Sequence, residues 1–405
     1  MVFFKSITMM NGLTNRWAVL ALIFLIGLAL PMQFQAVSAL APFLVTQVGL
    51  TYTDVGILTG IFMVPGIFLA VPGGLLAARL GDKSALMTGL SLMFASAVIF
   101  AATDSYAIIF FSRLLGGAGA VLITILLPKV VTDWFVGKEI ATAQATVASS
   151  FGLGVGLAMA VLPTLADFLS WPIAIIANST VIILAMLILL LFFKPHKAIY
   201  AQEESCPTLW NLNQAECVLS MLAGIGRGLF GAGYVVLMSF TPLLLIGQGM
   251  PVIEAGLLTS LVSVVSIVSV PLGGVFSDWT GKPNYFIALG AVGTSLTCIL
   301  ISYVEPTVLW LLLFGLLRGG CTGGIMALPS QVLRPESRIA GFTVVSAMYF
   351  ISMAAFPAIA GYLLDATANT AAPLWFSSFL WILIPAMLAT FKILQQKWRI
   401  FPKTL

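Results

Sequence analysis

Three arginines, Arg113, Arg227 and Arg318, each stand alone in a run of apolar residues long enough to cross a bilayer. Arg113 is the only charge between Asp104 and Lys129, and Arg318 the only one between Glu305 and Arg334. Arg227, in "SMLAGIGRGLFGAGYVVLMSF", has Glu216 and Glu254 as its nearest charged neighbours. A bare cation at membrane depth costs at least about 2.5 kcal/mol, so such residues face a cavity or find a partner. No carboxylate in these spans reaches a similar depth. What remains is water, backbone carbonyls or a solute that brings negative charge. Arginine suits the last role, because its planar fork stays charged and binds a carboxylate or planar oxyanion through two parallel hydrogen bonds. Tyr234 lies seven residues beyond Arg227 on the same helical face, and Gln33 and Gln35 in "PMQFQAVS" add neutral hydrogen-bonding groups. The competing reading is a brace, in which an arginine binds carbonyls of neighbouring helices. Gly116 and Gly117 beside Arg113 suit that reading for this residue.

The elements that carry these arginines follow from composition. The chain has 405 residues, 60% hydrophobic and 8% charged, against roughly 25% charged in soluble domains. It is an all-α integral membrane protein. A helix needs about 20 apolar residues to cross the hydrocarbon core, and turn and charge punctuation divides the chain into twelve such segments. They fall near 17–45, 53–78, 84–103, 106–133, 139–166, 170–193, 214–246, 252–277, 284–303, 307–333, 337–364 and 373–396. At 1.5 Å of rise per residue, Arg227 and Arg318 lie roughly 16 to 18 Å from their helix starts, close to the midplane.

Sidedness follows from the loops. Those after odd-numbered spans hold Asp54, Asp104, Asp167, Glu254, Glu305 and Asp365 and no Lys or Arg, while fifteen of the eighteen basic residues lie on the other side. The positive-inside rule then places both termini in the cytoplasm. The net charge of +4 expresses this asymmetry and implies no nucleic-acid partner. The six acids read as carboxylates at the starts of inward-running helices, favoured by the helix dipole. Lys5, Arg16 and "AVSALA" also fit a signal peptide, but eleven further spans favour a retained first helix. Cys206, Cys217, Cys298 and Cys321 form no CxxC pair, and His196 is the single histidine. No metal site or cofactor is indicated.

A repeat near 200 residues organises the chain. "TDVGILTG" at 53–60 recurs as "IEAGLLTS" at 253–260, and "VPGGLLAARLGDK" at 71–83 answers "VPLGGVFSDWTGK" at 270–282. The expected units are a six-helix bundle over 1–193, a polar cytoplasmic linker over 194–213 and a second six-helix bundle over 214–405. Two pseudo-symmetric bundles around a central site form an architecture suited to alternating access.

These motifs resemble the major facilitator superfamily over essentially the whole chain. That family's second-to-third-helix loop is matched by "GLLAARLGDK", which keeps Gly74, Arg79, Gly81 and Lys83 but has Ala78 at the acidic position. The second copy, "GVFSDWTGK", keeps Gly274, Asp278, Gly281 and Lys282 but has Trp279 at a basic one. The resemblance implies a cytoplasmic latch in which Asp278 engages the start of the fifth helix and Arg79 pairs with Asp133. "RLLGGAG" at 113–119 is similar to a fourth-helix element of the family. "WFVGKEIATAQA" at 134–145 is similar to a Trp-Phe stretch in branches that carry nitrate, nitrite, cyanate, oxalate or organic anions. The fifth helix has Gly152, Gly154 and Gly156 but lacks the Gly-Pro pair of proton-coupled drug exporters.

The resemblance implies the major facilitator fold, with helices one, four, seven and ten lining the cavity. The expected protein is a functional monomer in the bacterial inner membrane, partnered by the lipid bilayer and a small anionic solute. The solute, an organic carboxylate or inorganic oxyanion, would bind Arg227, Arg318, Arg113, Tyr234, Gln33 and Gln35. The alternative is a proton-coupled exporter of drugs or other amphipathic metabolites.

Overall fold

The computed structural model describes residues 16–135, 139–193, 212–280, 283–334 and 337–398. They contain twelve helices long and apolar enough to span a membrane. The first six are α1 (Arg16–Ala39), α2 (Tyr52–Ile61 and Val64–Leu80), α3 (Asp82–Ala101), α4 (Tyr106–Trp134), α5 (Ile140–Phe168) and α6 (Trp171–Asn178 and Thr180–Phe192). The second six are α7 (Gln214–Gly247), α8 (Val252–Thr280), α9 (Pro283–Tyr303), α10 (Thr307–Ala327), α11 (Arg338–Thr367) and α12 (Ala372–Lys397). Where the sequence implies one unbroken second span, the helix breaks at Phe62 and Met63 and restarts with Pro65 in its first turn. Proline is tolerated there because its missing N–H falls among those without an intrahelical acceptor. The tenth span is shorter than expected, since Pro329 opens a separate turn of 3-10 helix. Most of the expected linker, 194–211, lies outside the described residues.

Helix starts follow local chemistry. Thr51 and Asp54 form a reciprocal capping box at α2, and Asn213 and Glu216 form another at α7, each satisfying two backbone N–H groups that the helix leaves unpaired. Gly81, between α2 and α3, has φ of +77°, a conformation a side chain would strain.

The packing repeats from one half to the other. In the first half α1 packs on α5 and α4 on α2 and α3; in the second α7 packs on α11 and α10 on α8 and α9. The halves meet mainly where α2 crosses α11 and α5 crosses α8. Small residues set these crossings. A methyl group added at Gly60 would collide with the Ala354 carbonyl, and one at Gly56 with the Pro357 carbonyl. Gly156 faces Ser263, and Gly256 faces the Met159 carbonyl. All four contacts lie in the part of the molecule nearer the loops that carry Asp54, Glu254 and Asp365, here called the acidic end.

At that end one expectation fails. Asp54 and Glu305 do serve the helix starts beside them, but Asp365 and Asp167 sit in the last turns of α11 and α5. Asp365 instead accepts hydrogen bonds from the first turn of α2, in the other half. The repeat places an acid there, but only packing reveals which helix it caps.

Candidate functional site

A cavity of about 400 Å³ lies between the halves, lined by α5, α7, α8, α10 and α11. Its residues on α5 (Ala148, Ser149, Phe151, Gly152), α8 (Ser266, Ile267, Val270, Pro271) and α10 (Arg318, Thr322, Met326) occupy the halves of those helices away from the acidic end. The inter-half crossings close the cavity on the acidic side. The cavity is not enclosed, and toward the basic side the side-chain positions at Gly74, Gly152 and Gly274 have no atom within 4 Å. The resemblance implied a lining by helices one, four, seven and ten. Seven and ten do line it, but among the described residues α1 and α4 contribute none.

Arg227, Phe230 and Tyr234 project from α7 at spacings of three and four residues, which places them on one helical face. Arg318 enters from α10, with its guanidinium carbon 3.9 Å from the Tyr234 ring centroid and 4.8 Å from that of Phe230. Arg227 lies 4.7 Å from the ring of Tyr349, contributed by α11. Trp381 of α12 backs Phe230 edge-on at 5.4 Å. Tyr234 is held in turn by a 2.8 Å hydrogen bond between its hydroxyl and Ser263 Oγ. Each cation is thus held against aromatic faces, an attraction of about 0.5–2 kcal/mol depending on desolvation. The ring contacts leave the N–H groups in the guanidinium plane uncommitted. Nε of Arg227 and Nε of Arg318 are buried without a hydrogen-bond partner, and among the described residues no Asp, Glu or His lines the cavity.

Arg113 is placed differently, and its assignment to the cavity is corrected. It is fully buried, and its Nε donates to the Leu58 carbonyl at 3.1 Å, Nη1 to that of Gln33 at 2.7 Å and Nη2 to that of Phe34 at 2.9 Å. The Phe62 ring covers it at 4.4 Å. It braces α1, α2 and α4, and backbone carbonyls take the place of an anion. Gln33 and Gln35 are likewise absent from the cavity wall. The Gln33 amide donates to Ser179 Oγ at the break in α6, 3.2 Å away. That of Gln35 donates to Ser239 Oγ of α7 at 3.1 Å and reaches the Met159 sulfur.

The sequence left four contributors unmarked. Phe230 carried a signal, since it stands three residues from Arg227; Tyr349 and the small wall residues Ser149 and Ser266 carried none. Glu216 was also passed over, although "NQAE" is a capping pattern. Its buried carboxylate accepts from Arg334 Nε at 2.8 Å and from Ser337 Oγ at 2.9 Å, tying the start of α7 to the segment between α10 and α11.

Of the latch residues, Gly81 makes the turn described above. Arg79 is exposed, and among the described residues the ion pairs are Arg16 with Glu139, Lys129 with Asp82 and Arg334 with Glu216. None of these pairs joins Arg79 to Asp133. The side chain of Asp278, and Gly281, lie outside the described residues.

A family model for the Major Facilitator Superfamily matches the chain over residues 23–314 and 217–400. Quinolone resistance protein NorA of Staphylococcus aureus (strain MRSA252) is 33% identical over 141 residues, 34% of this chain and 34% of NorA. Inner membrane transport protein YajR of Escherichia coli (strain K12) is 31% identical over 130 residues, 31% of this chain and 28% of YajR. The match thus spans about a third of each relative. Among solved structures, the inward open conformation of the xylose transporter XylE from E. coli superposes with a TM-score of 0.77 at 14% identity, covering 93% of this chain and 96% of that one. A bacterial homolog to the human lysosomal transporter Spinster, inward-facing and unoccupied, gives 0.74 at 15% identity, covering 96% and 98%. At these identities the likeness is one of fold. Twelve membrane-length helices and bacterial relatives of this kind make the protein a multi-pass protein of the plasma membrane. Matched by the family model through both halves, and folded as its solved structures are, the chain belongs to the Major Facilitator Superfamily.

Proposed function

We propose that this protein moves a small anion across the membrane by alternating access, holding it on Arg227 and Arg318. One observation carries the reading. Two guanidiniums, set edge-free against aromatic rings, share a cavity in whose lining no carboxylate stands among the described residues. Cations at this depth are costly and are retained where they serve a pathway. An anion would supply the hydrogen-bond acceptors that both Nε atoms lack. With the termini cytoplasmic, the open basic side faces the cytoplasm, and the crossings at the acidic end form the closed outer gate. The complementary state would close the basic side, bringing Gly74, Arg79, Asp133, Asp278 and Gly281 into play as the latch.

The test is binding and transport by purified protein carrying Arg227→Ala or Arg318→Ala. Each is expected to weaken anion binding at least tenfold while the variant stays folded. Lysine should restore little, because a point charge loses the bidentate geometry. Wild-type affinity in both alanine variants would overturn the assignment.

A second reading, export of amphipathic compounds, is favoured by the apolar wall of Phe151, Ile267, Val270 and Met326 and by the name of the NorA relative. It differs in needing no anionic group on the solute. A neutral or cationic solute bound with equal strength by wild type and the two alanine variants would support it.

A further inference from the structure

The cavity is divided by chemistry between the two halves. Both guanidiniums and all three ring platforms come from the second half, on α7, α10 and α11, whereas among the described residues the first half supplies an uncharged wall from α5. That wall contains an opening. Gly154 of α5 packs against Pro31 of α1, and Gly156 packs on Ser263 of α8, but a side chain at Gly152 would meet nothing within 4 Å. The space over Gly152 is part of the cavity, and Phe151, Ile267 and Val270 extend the apolar surface beside it.

From this asymmetry we infer that the solute is an organic anion with a flat apolar body, and that Gly152 sets the size of body admitted. The inference rests on the anion reading above and deepens it. Its carboxylate, or a similar planar anionic head, would sit on Arg227 and Arg318. The body would cross toward α5 and occupy the space that the missing side chain leaves. Volume favours a larger solute than a bare inorganic oxyanion. Such an ion displaces the equivalent of one or two waters, at about 30 Å³ each, and would leave most of a 400 Å³ cavity as water against an apolar wall. An apolar body would remove that surface from water, at roughly 25 cal/mol per Å². Arg318 is 8% exposed, so the head group would be bound where competing water is scarce. Because the two halves hold different ends of the solute, closing one half on the other would sense both its charge and its bulk.

Isothermal titration of full-length protein with propionate, benzoate and 2-naphthoate tests this, using wild type, Gly152→Ala, Gly152→Leu and Arg318→Ala. In wild type, affinity should rise along the series. In Gly152→Leu the ratio of naphthoate to propionate affinity should fall at least tenfold, with an intermediate fall in Gly152→Ala. The alanine variant guards against misfolding, since it adds one methyl group to open space and replaces a helical glycine by the best helix former. Arg318→Ala should weaken all three acids together. Binding that depends on Arg318 but shows an unaltered naphthoate-to-propionate ratio in both Gly152 variants would overturn the size assignment and leave the anion reading standing. Wild-type affinity falling along the series would overturn the proposed class of solute. Acid binding indifferent to Arg318 would overturn the anion reading itself, and this inference with it.

Discussion

Asp365, in the last turn of α11, accepts hydrogen bonds from the backbone N–H and the hydroxyl of Thr53, each at 2.6 Å, in the first turn of α2. Its other oxygen accepts from the Tyr52 N–H at 3.2 Å. A carboxylate of one half thus caps a helix of the other, where the helix dipole also favours it. Among the described residues the bond has no counterpart across the pseudo-twofold axis. The residue aligned with Thr53 is Ile253, which has no hydroxyl, and Asp167 is exposed.

Asp365→Asn should therefore loosen the closed acidic end. Hydrogen bonds to a charged group contribute about 1.5–3 kcal/mol each, and asparagine keeps some acceptor capacity, so a net loss of about 1.5 kcal/mol is expected. That shifts the balance between end states roughly tenfold. Spin labels at Thr51 and Thr367 should report a larger population of long distances. Gly60→Val, which collides with the Ala354 carbonyl, should move the distribution the same way. Unaltered distributions in both variants would show that neither contact governs the gate.

Tyr234 makes two separable contributions, a hydroxyl bonded to Ser263 and a ring beneath Arg318. Tyr234→Phe keeps the ring, and anion affinity should stay within about threefold of wild type. Tyr234→Leu removes a cation–π contact of about 1–2 kcal/mol and should weaken binding about tenfold. Equal losses in the two variants would assign the effect to the hydroxyl.

Arg113 and Arg227 should respond oppositely to truncation. Arg113→Ala removes three hydrogen bonds to buried carbonyls, and a loss of about 3 kcal/mol or more is expected. Arg227 has no hydrogen bond to lose among the described residues, so Arg227→Ala should melt at or above the wild-type temperature. Thermal unfolding of the two variants, measured without solute, reads this directly.

The anion reading also constrains coupling. Among the described residues no carboxylate or imidazole lines the cavity, so exchange of one anion for another is the expected cycle. An empty site would carry two cations through a water-poor intermediate, at a cost of several kcal/mol for each unpaired charge. Counterflow in proteoliposomes should be at least tenfold faster with anion on both sides than with an empty lumen. Equal rates would contradict exchange.

The sequence by itself determined whatever depends on composition and period. Long apolar runs fixed twelve spans, because a backbone in hydrocarbon must satisfy its hydrogen bonds within a helix. The recurrence of "TDVGILTG" as "IEAGLLTS" indicated a repeated half, and isolation among apolar residues singled out the three arginines. The tertiary structure decided what each arginine meets. Arg113 and Arg318 look alike in the chain, each followed within four residues by a pair of glycines. Only helix packing places the carbonyls of Leu58, Gln33 and Phe34 around one and the rings of Phe230 and Tyr234 against the other. The same holds for Asp365, whose partner lies more than 300 residues earlier, and for Gly152, which is open although Gly154 and Gly156 are packed. A side chain's type and depth are local properties, legible from the order of residues. Its hydrogen-bond partners, or its lack of them, are set by which helices cross at that height, and that is decided by the packing of all twelve together.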